Sequence, residues 1–302
     1  MRRTGILFFA AVPVVITAAA YFLAPTDSAE SPAEPSVASS QQATRQDAKS
    51  RAEQERSADD KLLASLPPGL AAPAKKELAQ QLVSSAENST LDWRSAFAYI
   101  EDIGDGQGYT AGIIGFCTGT NDLLTLVERY TADHPDNGLA QYLPALRAVD
   151  GTDSHEGLDP GFTAAWKAEA ELPAFQQAQL AERDRAYFDP AVRLAKLDGL
   201  GTLGQFIYFD AMVFHGPGID EDGFYVLRER ALREANSPSQ GGSEKAYLDI
   251  FLDIRRGAMR EKRLGTDTTR IDTAQRQFLY DGNLRLRTPL EWRVYGETYR
   301  VP

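Results

Sequence analysis

The sequence holds one cysteine, three histidines and three tryptophans in 302 residues. Cys117 has no second cysteine to pair with, so there is no internal disulfide framework and the fold has to rest on its core. No C-x-x-C pair, no ligand set of metal-binding spacing and no G-x-x-x-x-G-K-[ST] loop is present, so neither a metal nor a cofactor is expected. A catalytic thiol needs a partnering histidine, and only His134, His155 and His215 exist. The neighbours of Cys117 (Ile113, Ile114, Gly115 and Phe116) are apolar or small and describe a buried, inert thiol. Positive charge is also short. The chain carries 32 basic and 43 acidic side chains, a net charge of -11, which argues against nucleic-acid binding. Residues 60–302 alone carry 26 basic and 36 acidic side chains. An acidic domain of this kind speeds encounter with a cationic partner at low salt.

Aromatics are absent between residues 25 and 58, a stretch rich in Ser, Ala, Glu, Gln and Pro. It buries too little apolar surface to offset its ordering entropy. It follows an N-terminal segment in which Arg2 and Arg3 precede an apolar run from Ile6 to Ala24, and small residues come after. That order describes a secretory signal, with a retained membrane tether through residues 6–24 as the alternative. The expected organisation is a signal or anchor over 1–29, a disordered linker over 30–60 and a folded domain over 61–302. The protein is expected outside the cell, secreted or anchored facing outward, as a monomer with no obligate protein partner.

Within the domain, helical patterns dominate. Helices are expected over 74–85, 123–130, 137–149 with a kink or restart at Pro144, 162–170, 175–187, 190–198, 224–235, 244–262 and 273–280, with a turn or two over 92–100. The run 202–215 is apolar on most sides and reads as a central buried helix. Residues 104–108 form a glycine-rich turn, and 109–120 read as short twisted strands, the only good strand signal.

Two carboxylates stand out in this setting. Glu87 closes the helical pattern Leu78, Leu82, Val83, Ala86, and Asp105 lies in the turn Gly104-Asp105-Gly106-Gln107-Gly108. One acid on a rigid helix and one on an adaptable loop suit cleavage of a glycosidic bond, which commonly uses one protonated and one ionised carboxyl group. Taken alone the pair is weak, because acidic residues are usually solvated surface groups.

The surrounding motifs strengthen it. The stretches S-S-A-E-N-S-x-L-D-W and Y-I-E-D-I-G-D-G-x-G-Y-T-x-G-I-I-G-F-C are followed by Y-L-P-A-L, F-Q-Q-A-Q-x-x-E-R-D-R-x-Y-F-D-P-A, L-G-Q-F, H-G-P-G, P-x-Q-G-G and W-x-x-Y-G-x-x-Y. In this order they closely resemble the chitosanases of glycoside hydrolase family forty-six, over roughly residues 70–300. The resemblance implies a mainly α, lysozyme-like α+β fold of two lobes, with a small β-sheet in one lobe and a substrate cleft between them. It implies endo-hydrolysis of β-1,4 linkages between glucosamine units of chitosan, with inversion. Glu87 matches the general acid, Asp105 the general base, and Thr110 the hydroxyl that positions the attacking water. Inversion needs room for that water, with carboxyl groups about 6.5–9.5 Å apart in the working state.

The resemblance also assigns Asp122, in G-T-N-D, to a glucosamine amine. Tyr99, Glu101 and Asp102 are further cleft candidates for chitosan and its oligomers. Gln107 takes a place held by arginine in a member of the family; it keeps hydrogen bonding and gives up the charge, next to the base. Asp210 sits in the apolar helix, where a carboxylate requires a partner. Arg255 and Arg270 match arginines that pair with it and reach the acid. His215, in H-G-P-G, is read as shaping the end of the buried helix rather than as an acid or base. Two alternatives stay open: a lysozyme-like glycanase acting on chitin or peptidoglycan, and a non-catalytic, membrane-tethered polysaccharide-binding protein.

Overall fold

The computed structural model describes residues 53–262 and 265–302. The expected signal or anchor (1–29, with its tether 6–24) and most of the expected linker lie outside the described residues. No helix among the described residues is long and apolar enough to cross a membrane. Residues 54–302 make up one compact unit. The expected start of the fold near Leu62 falls inside a helix over 53–65 (α1), which Asp59 and Asp60 tie to Arg193.

The long helices follow the apolar periodicity. α2 (Pro73–Glu87) has proline in its first turn, where a missing N–H costs nothing, and buries Leu78, Ala79, Leu82, Val83 and Ala86. A three-stranded antiparallel sheet follows, β1 (Ile100–Asp102), β2 (Tyr109–Ala111) and β3 (Phe116–Cys117), in the order β1-β2-β3. Ile100 pairs with Ala111 and Asp102 with Tyr109. The expected turn over 92–100 is a 3₁₀ turn, Trp93–Ala98, that gives way to β1. With α3 (Asp122–Asp133), α4 (Leu143–Val149) and α5 (Phe162–Ala170), the sheet forms the first lobe. Pro144 starts α4 rather than kinking a longer helix.

A continuous helical run then leads to the second lobe. It consists of α6 (Pro173–Arg183), one π-helical turn (Asp184–Phe188) and α7 (Asp189–Leu197). Its first part packs on α3 and α5, and its last part on α8 (Thr202–His215). The wide turn directly precedes Pro190, which has no N–H to satisfy the carbonyl one turn back and would clash with it in a regular α-helix. α8 is buried almost all round, from Leu203 to Met212, as its uniform apolarity predicts. Around it lie α9 (Phe224–Glu234), α10 (Glu244–Lys262), a π-helical stretch (Arg270–Gln275) and α11 (Arg276–Tyr280).

The chain ends in a hairpin, β4 (Leu290–Val294) and β5 (Glu297–Val301), which corrects the expectation of strands only near 109–120. Its residues alternate buried and exposed, Leu290, Trp292 and Val294 pointing inward. Tyr295 and Gly296 make a two-residue loop with positive φ at both (51° and 87°), the geometry that matches strand twist. The hairpin ties the elements that carry the acid. Trp292 Nε1 donates to Ser85 Oγ in α2 (2.9 Å), and the Tyr295 N–H donates to Thr269 Oγ1 (2.9 Å), beside Arg270.

Candidate active site

Glu87 is the last residue of α2, its side chain 27% exposed. Its Oε1 lies 2.7 Å from Arg270 Nη2. The same nitrogen donates to Asp210 Oδ1 (2.8 Å), and Asp210 Oδ2 lies 2.7 Å from Arg255 Nη2. Gln275, which was not foreseen, completes the arrangement. Its amide nitrogen donates to Asp210 Oδ2 (2.5 Å) and its oxygen accepts from Arg255 Nη1 (2.9 Å). Asp210, Arg255 and Arg270 are 1%, 0% and 2% exposed. Burial pushes the Asp210 carboxyl up, but Arg270 and Arg255 overcome it and hold the group well below the usual carboxylate range. The three residues expected to form a network are thus brought together, and Arg270 links them to Glu87.

Asp105 is exposed at the middle of the loop between β1 and β2. Its Oδ1 accepts from the Gln107 N–H (3.0 Å). Gly104, Gly106 and Gly108 all take positive φ, and a Cβ on Gly108 would lie 2.2 Å from Thr118 Oγ1. The turn therefore requires glycine at that position. Thr110 stands in β2 between Glu101 and Cys117, its Oγ1 3.4 Å from Cys117 Sγ. Burial pushes the Cys117 thiol up to about 12, so it is protonated and inert at neutral pH.

A cavity of about 580 Å³ runs between the lobes. The sheet lobe contributes Gln107, Cys117 and Asp122, the connecting helix Tyr187, and the end of α8 Phe214 and His215. Glu87 and Asp105 flank rather than line it. Asp105 adjoins through Gln107, and Glu87 through Arg270, whose guanidinium lies 4.7 Å from the Phe214 ring centre. Asp122 reaches the cavity with both carboxylate oxygens hydrogen-bonded. Oδ1 accepts from the Cys117 N–H (2.9 Å), the Leu123 N–H (2.8 Å) and Thr120 Oγ1 (2.8 Å), and Oδ2 from Tyr187 Oη (2.8 Å). Burial raises its pKa above the usual value, against the pull of these donors. Tyr99, Glu101 and Asp102 do not line the cavity. The Tyr99 hydroxyl reaches Glu101 Oε2 (3.5 Å), and Asp102 Oδ1 accepts from the Gly104 N–H (2.8 Å). Tyr187 and Phe214 were missed as site residues. The signal for Tyr187 was Y-F-D-P, a proline just behind an aromatic in a helical run.

Residues 81–290 match the model of glycosyl hydrolase family 46. The chain belongs to that family. This hydrolase is 57% identical to a chitosanase of Streptomyces sp. (strain N174) over 233 residues, 77% of this chain and 84% of that one. It is 40% identical to a chitosanase of Bacillus subtilis (strain 168), over 60% of this chain and 66% of that one. Among solved structures, a chitosanase co-crystallised with substrate superposes with a TM-score of 0.76 at 54% identity, covering 78% of this chain and 99% of that one. A complex of a Gynuella sunshinyii family 46 chitosanase with chitotetraose gives a TM-score of 0.70 at 32% identity, covering 75% and 97%. These likenesses place the hydrolase among mainly helical enzymes with a lysozyme-like fold.

Proposed function

We propose that this hydrolase cuts chitosan within the chain, at β-1,4 linkages between glucosamine units, with Glu87 as general acid and Asp105 as general base. One observation carries the assignment of the acid. Arg270 holds Glu87 with the same nitrogen that a buried aspartate fixes in place, so the carboxyl is oriented by a rigid group rather than by solvent. The acid protonates the leaving glycosidic oxygen, and the base takes a proton from a water held with the help of Thr110. The water attacks from the face opposite the leaving group, and the anomeric carbon inverts. The glycine-flanked loop keeps Asp105 solvated, which suits an ionised base.

Asp122, Asp220 and Asp222 give the cavity its negative charge, which fits a polycationic sugar chain. Asp122 Oδ1 already accepts from three donors, but Oδ2 accepts from Tyr187 alone and keeps acceptor capacity for a glucosamine amine. Chitosanases at 57% and 40% identity, and a family complex with chitotetraose, support this substrate class. The N-terminal basic-apolar-small pattern supports action outside the cell.

The test is proton NMR of the first products from a defined glucosamine oligomer, comparing wild type with Glu87→Gln. Wild type is expected to release the α anomer, and Glu87→Gln to lose about 10²–10⁴-fold in kcat, the usual contribution of a positioned acid. An initial β product would overturn inversion. Cleavage of acetylated oligomers only would overturn the substrate.

A further inference from the structure

A cluster at the root of the base loop has no part in the chemistry described so far. His155, in the segment before α5, stacks on the Tyr109 ring with centroids 4.0 Å apart and planes 10° from parallel. Its Nε2 lies 3.4 Å from Asp102 Oδ2, and its Nδ1 lies 3.7 Å from Asp159 Oδ2. The Tyr109 hydroxyl donates to the other oxygen of Asp159 (2.6 Å). The ionisable groups facing the imidazole are thus Asp102 from β1, Tyr109 from β2 and Asp159 from its own segment. Within this cluster His155 is the group able to carry positive charge. The Tyr109 phenol is pushed up to about 12, first by burial and then by Asp159, as expected beside an ionised carboxylate.

The position of the cluster gives it a consequence for catalysis. Asp102 and Tyr109 face each other as the last pair of the β1–β2 ladder, and Asp105 hangs in the loop between them. The trailing side of that loop is tied to the segment after β3. The Gly119 N–H donates to the Gln107 carbonyl (2.9 Å), and the Tyr109 N–H donates to Thr118 Oγ1 (2.9 Å). On the leading side, residues 103–106 are exposed and Gly104 and Gly106 take positive φ. There the tie is Asp102. One carboxylate oxygen accepts from the Gly104 N–H (2.8 Å), and the other faces His155.

We propose that His155 is a positioning residue for the general base: stacked on Tyr109 and set between Asp102 and Asp159, it fixes the two strand ends between which the Asp105 loop is hung. Asp102 is then a staple of the loop, one oxygen bonded to the Gly104 N–H and the other facing the imidazole, rather than a sugar contact. The proposal rests on the assignment of Asp105 as the base.

Two variants test it. His155→Gln removes the stacking ring and the pair of ring nitrogens that face Asp102 and Asp159. His155→Arg keeps a planar surface for stacking and N–H donors directed at the two carboxylates. His155→Gln is expected to lower kcat on a glucosamine hexamer roughly ten- to a hundredfold, because small displacements of a reacting group are costly, with KM unchanged. Hydrogen exchange at the Gly104 and Gln107 amides should speed up several-fold, and His155→Arg should recover most of both losses. A loss carried by KM with kcat intact would make Asp102 a sugar contact and overturn the proposal. So would unchanged exchange over 102–109, or a His155→Arg variant no better than His155→Gln. The exchange measurement reads the loop whether or not the hexamer is cleaved. Failure of wild type to cleave it would count against the function alone.

Discussion

Replacing Asp210 with alanine removes the one carboxylate that two buried guanidinium groups share. Arg255 and Arg270 are almost wholly buried, and Gln275 also donates to Asp210, so three donors lose an acceptor in one substitution. Breaking a buried ion pair by removing one partner costs about 3–5 kcal/mol, because the remaining charge stays desolvated. For a domain of this size that corresponds to a fall in melting temperature of roughly 10 °C. Turnover should fall as well, for a separate reason. Arg270 Nη2 is held at 2.8 Å by Asp210 and itself holds Glu87 at 2.7 Å. Without Asp210 the guanidinium is free to shift, and a displacement of about 1 Å at a catalytic group can cost on the order of 10²-fold in rate. Thermal unfolding and reducing-end release from chitosan measure the two effects. Asp210→Asn, which keeps the shape and removes the charge, separates electrostatics from packing. An Asp210→Ala protein that melts and turns over near normally would refute the role given to the network.

Acid stability follows from the same residue. The Asp210 pKa is held below its unfolded value, so the unfolded chain takes up the proton first as pH falls. The contribution of Asp210 is therefore complete above about pH 4 and is lost progressively below it, and acid titration of Asp210→Asn should be flatter in that range. In the base loop, Gly108→Ala should cost about 1–3 kcal/mol in backbone strain and also push Thr118 off the Tyr109 N–H, lowering both melting temperature and kcat. Gly106→Ala is its control. Gly106 also has positive φ, but its Cβ would meet nothing within 4 Å, and it should lose less on both measures.

Much of the fold was legible because long helices announce themselves through periodicity. Leu78, Leu82, Val83 and Ala86 mark one face of α2, and the unbroken apolarity of 202–215 marks α8 as central. The C-terminal hairpin escaped notice although Leu290, Trp292 and Val294 alternate inward. Each strand is only five residues long, and Tyr-Gly is not among the dipeptides that usually signal a two-residue turn. The π-helical turns were not legible either. A helix widened by one residue leaves no periodic trace in a few residues, yet one such turn holds Tyr187 and the other starts at Arg270 and ends at Gln275. At the site, Glu87, Asp105 and Gln107 could be named from sequence because they lie inside contiguous motifs. Tyr99, Glu101 and Asp102 were grouped with the cleft by proximity in sequence; none of them lines the cavity, although Glu101 projects from the same face of the sheet as its cross-strand partner Thr110.

The sequence by itself determined the local pieces: an acid at the end of an apolar helix, a second acid in a turn that only glycines permit, and a carboxylate on a helix too apolar to leave it unpaired. These are decided by periodicity, backbone freedom and the cost of burying charge, all of which act over a few residues. Only the tertiary structure decided which partners meet. Gln275 joins the expected Asp210–Arg255–Arg270 network across 65 positions of chain, the hairpin at the C-terminus braces the helix that ends in Glu87, and His155 reaches back across the sheet to the root of the base loop. Those contacts depend on how the lobes close over their cores, since the side chains that meet are set by packing and not by spacing along the chain.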